Sequence, residues 1–134
     1  LAPKLAAELY DLEILEADVS DNADNTTRFV VLAPEPYKVT GEEDKVITSL
    51  VFKTRSVPAA LYKALTGFAT NGVNITKLES YIADASFAVA QFYADIDGAA
   101  TDPEVALALQ DLDYFSEHVL ILGSYPASTF RKGS

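Results

Sequence analysis

Residues 57–80 read VPAALYKALTGFATNGVNITKLES. The stretch predicts a helix, a sharp glycine turn and a strand. Pro58 suits a first helical turn, because the N–H it lacks would have no intrahelical acceptor there. Leu61, Leu65 and Phe68 recur on one helical face, while Lys63, Thr66 and Thr70 lie largely away from it. Asn71-Gly72 ends the helix, glycine being suited to the left-handed residue that closes many helices. A strand then runs from Val73 to about Ile82. The two ends of the stretch, Pro58-Ala59-Ala60-Leu61 and Asn74 to Ser80, are the candidate binding elements for a small ligand. A helix start offers unpaired N–H groups to an anion. Asn74 offers an amide oxygen to a cation. From spacing alone, the same residues are also an ordinary helix start and an ordinary turn.

Working outward, residues 45–53, KVITSLVFK, predict a strand rich in β-branched residues. On the other side, Ala83-Asp84-Ala85 predicts a tight turn, and Ser86 to Ile96 a third strand carrying Phe87, Val89, Phe92 and Tyr93. Thr101-Asp102-Pro103-Glu104 reads as a helix start, with a hydroxyl cap, a proline in the first turn and a glutamate three residues on. Val105, Leu109 and Leu112 form the buried stripe of that helix, and His118 to Tyr125 the last strand. The order from Lys45 is β-α-β-β-α-β. This is an α+β, ferredoxin-like arrangement: a four-stranded antiparallel sheet with both helices on one face. Both registers of the first and third strands carry apolar residues, so a partner subunit is expected over an exposed face or edge.

Ahead of this domain, residues 33–44, APEPYKVTGEED, read as a linker, with Gly41-Glu42-Glu43-Asp44 solvated. Residues 4–16 predict a helix with Leu5, Leu9 and Leu12 on one side. Residues 18–25 are polar and turn-prone. Thr27 to Leu32 predicts a short strand buried within a sheet, because it is apolar on both faces. The expected organisation is a first segment over 1–32, a linker over 33–44, a domain over 45–126 and a tail over 127–134. A start at Leu1, in mid-helix pattern, points to a piece of a longer protein.

Composition narrows the function. The 134 residues carry a formal net charge of −10, with only ten Lys and Arg. That excludes the clustered cations that phosphate backbones require, and it argues against an anionic membrane surface. No cysteine is present and His118 is the single histidine, so thiolate chemistry is excluded and no metal or other cofactor is expected. No apolar run approaches the roughly 20 residues of a membrane span. A soluble, cytoplasmic protein is the simplest reading.

These residues also carry a family resemblance. Lys45 to Tyr125 resembles an ACT domain, the ligand-binding module attached to many amino-acid biosynthetic enzymes, and more narrowly the regulatory domain of prephenate dehydratase. The family's Gly-Ala-Leu after a proline corresponds to Ala59-Ala60-Leu61. Its Glu-Ser-Arg-Pro, after an Asn-Leu-Thr-Lys-Ile-like strand, corresponds to Asn74-Ile75-Thr76-Lys77-Leu78-Glu79-Ser80-Tyr81-Ile82. Ile121 to Pro126 resembles the family's closing strand. Asn25-Thr26-Thr27-Arg28-Phe29 resembles the Asn-x-Thr-Arg-Phe signature near the end of the dehydratase catalytic domain, and Ala6 to Leu15 the segment leading into it.

The resemblance implies a helix–strand remnant of an α/β catalytic domain followed by a regulatory domain. It implies that L-phenylalanine binds between two such domains, in a homodimer or higher homo-oligomer, through Pro58, Ala59, Ala60 and Leu61 of one chain and Asn74, Ile75, Thr76, Glu79 and Ser80 of its neighbour. Leu61 and Ile75 would line the pocket for the effector's side chain. It further implies a catalytic role for Thr27 as general acid when prephenate loses carbon dioxide and its ring hydroxyl. Arg28 would help to hold the dianionic substrate or orient neighbouring groups, and Phe29 would pack. These three residues cannot form an active site alone, so this chain is expected to be inactive by itself. Two departures favour an alternative, a dimerisation module whose ligand site has lapsed. Ala59 adds a methyl where the family has glycine, and Tyr81-Ile82 stand where it has Arg-Pro.

Overall fold

The computed structural model describes residues 2–21, 26–82 and 90–130. By its contacts the chain divides into two units, Leu1–Leu32 and Ala33–Ser134.

Among the described residues, the first unit holds α1 (Lys4–Tyr10), and the second holds four strands and two helices: β1 (Val46–Thr54), α2 (Ala60–Thr70), β2 (Ile75–Ile82), β3 (Ala90–Asp97), α3 (Pro103–Phe115) and β4 (Ser116–Pro126). The sheet order is β2-β3-β1-β4, and every neighbouring pair is antiparallel. This is the ferredoxin-like α+β fold expected from the β-α-β-β-α-β order.

Strand alternation sorts the side chains by face. Leu50 and Phe52 of β1 and Phe92, Ala94 and Ile96 of β3 point to the helices. There they meet Ala64 and Phe68 of α2 and Val105, Ala108, Leu109 and Leu112 of α3. Phe52 and Phe92 stack with ring centroids 5.2 Å apart. Gly67 lets the helices approach: a Cβ there would stand 2.5 Å from the Cβ of Asp111.

A partner subunit was expected over an exposed face or edge of the sheet; the centre of the face away from the helices is polar. Asp95 is fully buried there, and its Oδ1 accepts from Ser49 Oγ at 2.5 Å and from the Tyr93 hydroxyl at 2.7 Å. The Tyr125 hydroxyl shares a hydrogen bond with the same serine. The network ties β1, β3 and β4 together and satisfies the desolvated carboxylate, whose burial would otherwise be costly.

Helix ends differ from expectation in instructive ways. α2 begins at Ala60, not Pro58. Its cap is Ala59, in the left-handed region at φ 57°, preceded by a turn in which Ala60 N–H donates to Val57 C=O. α3 is capped by Asp102 rather than Thr101, and that carboxylate accepts the N–H of Ala99 instead of capping the helix. The end of α2 is as predicted, with Gly72 at φ 68°. Val73 N–H bonds to Phe68 C=O and Gly72 N–H to Ala69 C=O, the paired bonds that reverse a chain after a helix. The predicted turn at 83–85 and the start of the third strand lie outside the described residues.

Residues 37–43 are more ordered than a solvated linker. The Glu43 carboxylate accepts from the N–H groups of Thr40 and Gly41, the Thr40 hydroxyl and the Tyr37 hydroxyl. These donors, the Thr40 N–H first, hold its pKa at about 2 against an ordinary 4.5.

The first unit corrects two expectations. α1 spans Lys4–Tyr10 rather than 4–16 and ends where Asp11 turns left-handed at φ 51°. None of its residues is buried. A seven-residue helix with no packing face is at the limit of what propagation sustains. Thr27 to Leu32 forms no strand. A strand exists only when its N–H and C=O groups find a ladder, and no described residue provides one.

Candidate functional site

The binding elements predicted from sequence lie along α2 and β2. Pro58 and Ala59 form the exposed turn before α2, Ala60 opens the helix, and Leu61 is half-buried against the core. No side chain caps this end of α2; Ala60 N–H donates to Val57 C=O and Lys63 N–H to Ala59 C=O, which leaves the N–H groups of Leu61 and Tyr62 to face an anion. Ala59 holds the backbone conformation that glycine adopts without cost. An alanine there is strained by about 1 kcal/mol.

Asn74 follows the Gly72 turn at the opposite end. The eleven residues of α2 put roughly 16 Å between the two ends, at 1.5 Å per residue. One free amino acid cannot bridge that span within one protomer. Ile75 packs on the core at the start of β2. Thr76 sits at a bulge between Ile75 and Lys77, and its hydroxyl donates to Asp95 C=O at 3.3 Å. Glu79 and Ser80 lie roughly 10–13 Å beyond Thr76 along β2, by strand rise. Glu79 pairs with Lys77 at 3.2 Å, whose ammonium stands over the Tyr93 ring.

Between these ends, Leu61, Tyr62, Leu65, Thr66 and Ala69 line an open, mostly apolar groove of about 420 Å³ on the outer side of α2. β2 is an edge strand: one side pairs with β3, the other has no strand neighbour among the described residues, and Leu78 and Tyr81 are partly exposed. Sequence reasoning missed two residues here. Asp97, at the end of β3, accepts from Asn74 Nδ2 at 3.0 Å, and Lys45 stands 3.4 Å from the other oxygen of Asp97. The β2–β3 pairing brings Asn74 to Asp97 and the β1–β3 pairing brings Lys45 there, and no local motif announces either.

Thr27, Arg28 and Phe29 sit in irregular backbone of the first unit. Phe29, expected to pack, is 88% exposed, because no described residue covers it.

A family model described as prephenate dehydratase matches residues 1–37. A bifunctional N-acyl-homoserine lactone acylase/prephenate dehydratase of Komagataeibacter europaeus is 47% identical over 98% of this chain and 47% of its own length. A bifunctional chorismate mutase/prephenate dehydratase of Aquifex aeolicus (strain VF5) is 36% identical over 98% of this chain and 36% of its own. The chain is a relative of the prephenate dehydratases over nearly its whole length. It spans less than half the length of these curated prephenate dehydratase relatives. Among solved structures, a prephenate dehydratase from Arthrobacter aurescens in complex with L-Phe superposes with a TM-score of 0.59 at 33% identity, covering 71% of this chain and 30% of that one. The matches to prephenate dehydratases thus reach both units, and the sequence resemblance drawn from short motifs extends along the chain. Among the described residues, no group of His, Asp and Glu is placed to hold a metal, and no helix is long and apolar enough to cross a membrane.

Proposed function

We propose that residues 45–126 form an ACT regulatory domain that binds L-phenylalanine, within a cytoplasmic prephenate dehydratase that this effector feeds back upon. The observation that carries the reading is the placement of the two motifs at opposite ends of α2, flanking an apolar groove and an edge strand. A second copy related by a two-fold axis across that surface exchanges the ends. It sets Pro58 to Leu61 of one protomer against Asn74 to Thr76 of the other. The effector's carboxylate then meets the open N–H groups of α2, its ammonium meets Asn74, and its ring enters the apolar space beside Leu61 and Ile75. Feedback follows if effector binding favours one pairing of the domains and residues 33–44 transmit that preference.

The same reading gives Thr27 the role of general acid toward the departing ring hydroxyl of prephenate, with Arg28 holding a substrate carboxylate and Phe29 packing in the completed site. Alone, these three residues form no enclosed pocket, so this chain does not turn prephenate over by itself.

The alternative, a dimerisation module with a lapsed site, draws on Ala59 and on Tyr81-Ile82. Ala59 speaks against it in one respect. It holds a left-handed backbone at φ 57°, the conformation a glycine takes without strain.

Calorimetric titration with L-phenylalanine, alongside L-tyrosine and L-tryptophan, tests the proposal. The expected result is selective binding near one ligand per chain, abolished by Asn74→Ala. A folded dimer that takes up no heat-detectable ligand would overturn it.

A further inference from the structure

We propose that Asp97 is a positioning residue that fixes which end of the Asn74 amide faces the effector, and so makes the site select for an ammonium group. The proposal rests on the effector reading above.

The argument begins with the polarity of the Asn74–Asp97 contact. A carboxylate at neutral pH only accepts hydrogen bonds, whereas a side-chain amide carries a donor end and an acceptor end. Asn74 therefore has to turn its NH2 toward Asp97 Oδ2, 3.0 Å away. The opposite assignment would set two acceptors against each other. With the donor end engaged, the carbonyl end is turned away from Asp97, toward whatever approaches Asn74 from outside. The backbone holds the pair in the same relation, since Asp97 N–H donates to Asn74 C=O at 2.9 Å.

The other oxygen anchors Asp97 itself. Asp97 Oδ1 is buried and has no hydrogen-bond partner, and Lys45 Nζ lies 3.4 Å from it as a counter-charge. Rotating the carboxylate would separate that oxygen from the lysine, so the side chain has one favoured setting. Two effects then act on an incoming zwitterion in the same direction. Its ammonium finds the amide oxygen of Asn74 and the nearby negative charge of Asp97. Its carboxylate finds no donor on Asn74, whose NH2 is engaged by Asp97, and the Lys45 ammonium is already paired with that aspartate, so the carboxylate is directed to the start of the partner's α2. A ligand lacking the ammonium gains nothing from either group.

The test is calorimetry on the 134-residue chain and its Asp97→Asn variant, with L-phenylalanine and with 3-phenylpropanoate, which has the same ring and carboxylate and no ammonium. Asparagine keeps the size of aspartate, removes the charge, and can face Asn74 with either end. The expected outcome is a Kd for L-phenylalanine raised about tenfold or more, the loss of one charge-assisted bond. The Kd for 3-phenylpropanoate should be unchanged or lowered, so that discrimination between the two collapses. Equal affinity of variant and parent for L-phenylalanine overturns the role of Asp97 and leaves the effector reading standing. A parent chain that binds neither ligand overturns both. Should the variant fold poorly, the side-chain amide resonances of Asn74 in the parent chain decide the matter. One proton shifted downfield and slowed in exchange supports the proposal, and a solvent-like pair refutes it.

Discussion

Residues 26–32 and residues 46–54 are two runs of similar character, TTRFVVL and VITSLVFKT, with opposite fates. The second is β1, paired on both edges and buried at Ile47, Leu50 and Phe52. In the first, Val31 is 95% exposed and the backbone forms no strand. β-branched and aromatic content expresses a demand for a ladder and a covering layer. It does not supply them. β1 has β3 and β4 beside it and two helices above it within its own unit, so the demand is met.

Three measurements break or sharpen this contrast. The largest effect is expected from truncation at equivalent chemistry in the two runs. Phe52→Ala should cost about 3–5 kcal/mol in denaturant unfolding, through lost burial and a cavity beside Phe92. Val31→Ala should stay within about 0.5 kcal/mol. Similar losses at both positions would mean that the first run is buried in solution and that the contrast is false.

A smaller loss is expected from Gly67→Ala, where the new methyl meets Asp111 Cβ and the carbonyl of Ala108. Overpacking there should cost about 1–3 kcal/mol, read as a lower unfolding midpoint with an unchanged denaturant slope. No loss would show that α2 and α3 can separate freely, and that the second unit is less tightly built than its core implies.

The smallest effect concerns the approach to β1. Because the pKa of Glu43 is lowered in the folded state, its turn is favoured above the ordinary carboxylate pKa near 4.5 and is released as pH falls through about 2. NMR titration should show the Thr40 amide still hydrogen-bonded at pH 4 and freed only near the lower value. Glu43→Gln should remove that acid step. A midpoint at the ordinary value would make this segment a plain tether.

The fold was legible from the chain because its elements report themselves locally. The stripe Val105, Leu109, Leu112 and the Asn71-Gly72 stop each encode an element in a few neighbouring residues. The turn and helix that carry the candidate residues Pro58 to Leu61 were legible for the same reason. What escaped depends on partners distant in sequence. Asp95 in the run Tyr93-Ala94-Asp95 looks like a solvent-facing strand residue until Ser49 and Tyr125 are placed around it. Asp97 has no visible task until β2 pairs with β3. The exact starts of α2 and α3 escaped because the caps use backbone conformation at Ala59 and a backward hydrogen bond at Asp102, where local rules expect a side-chain cap.

The separation of the two candidate motifs along α2 would, under the proposed pairing, change how such a site responds to supply. Half of each site would belong to each chain, so occupancy would depend on how many chains are available to meet as well as on how much effector is present. Dilution would empty the site, and effector would in turn hold chains together. The same division lets defects complement each other. A chain damaged at Asn74 and a chain damaged at Ala59 would together form one pocket broken on both sides and one pocket wholly intact, so a mixed population would recover binding that neither pure population possesses.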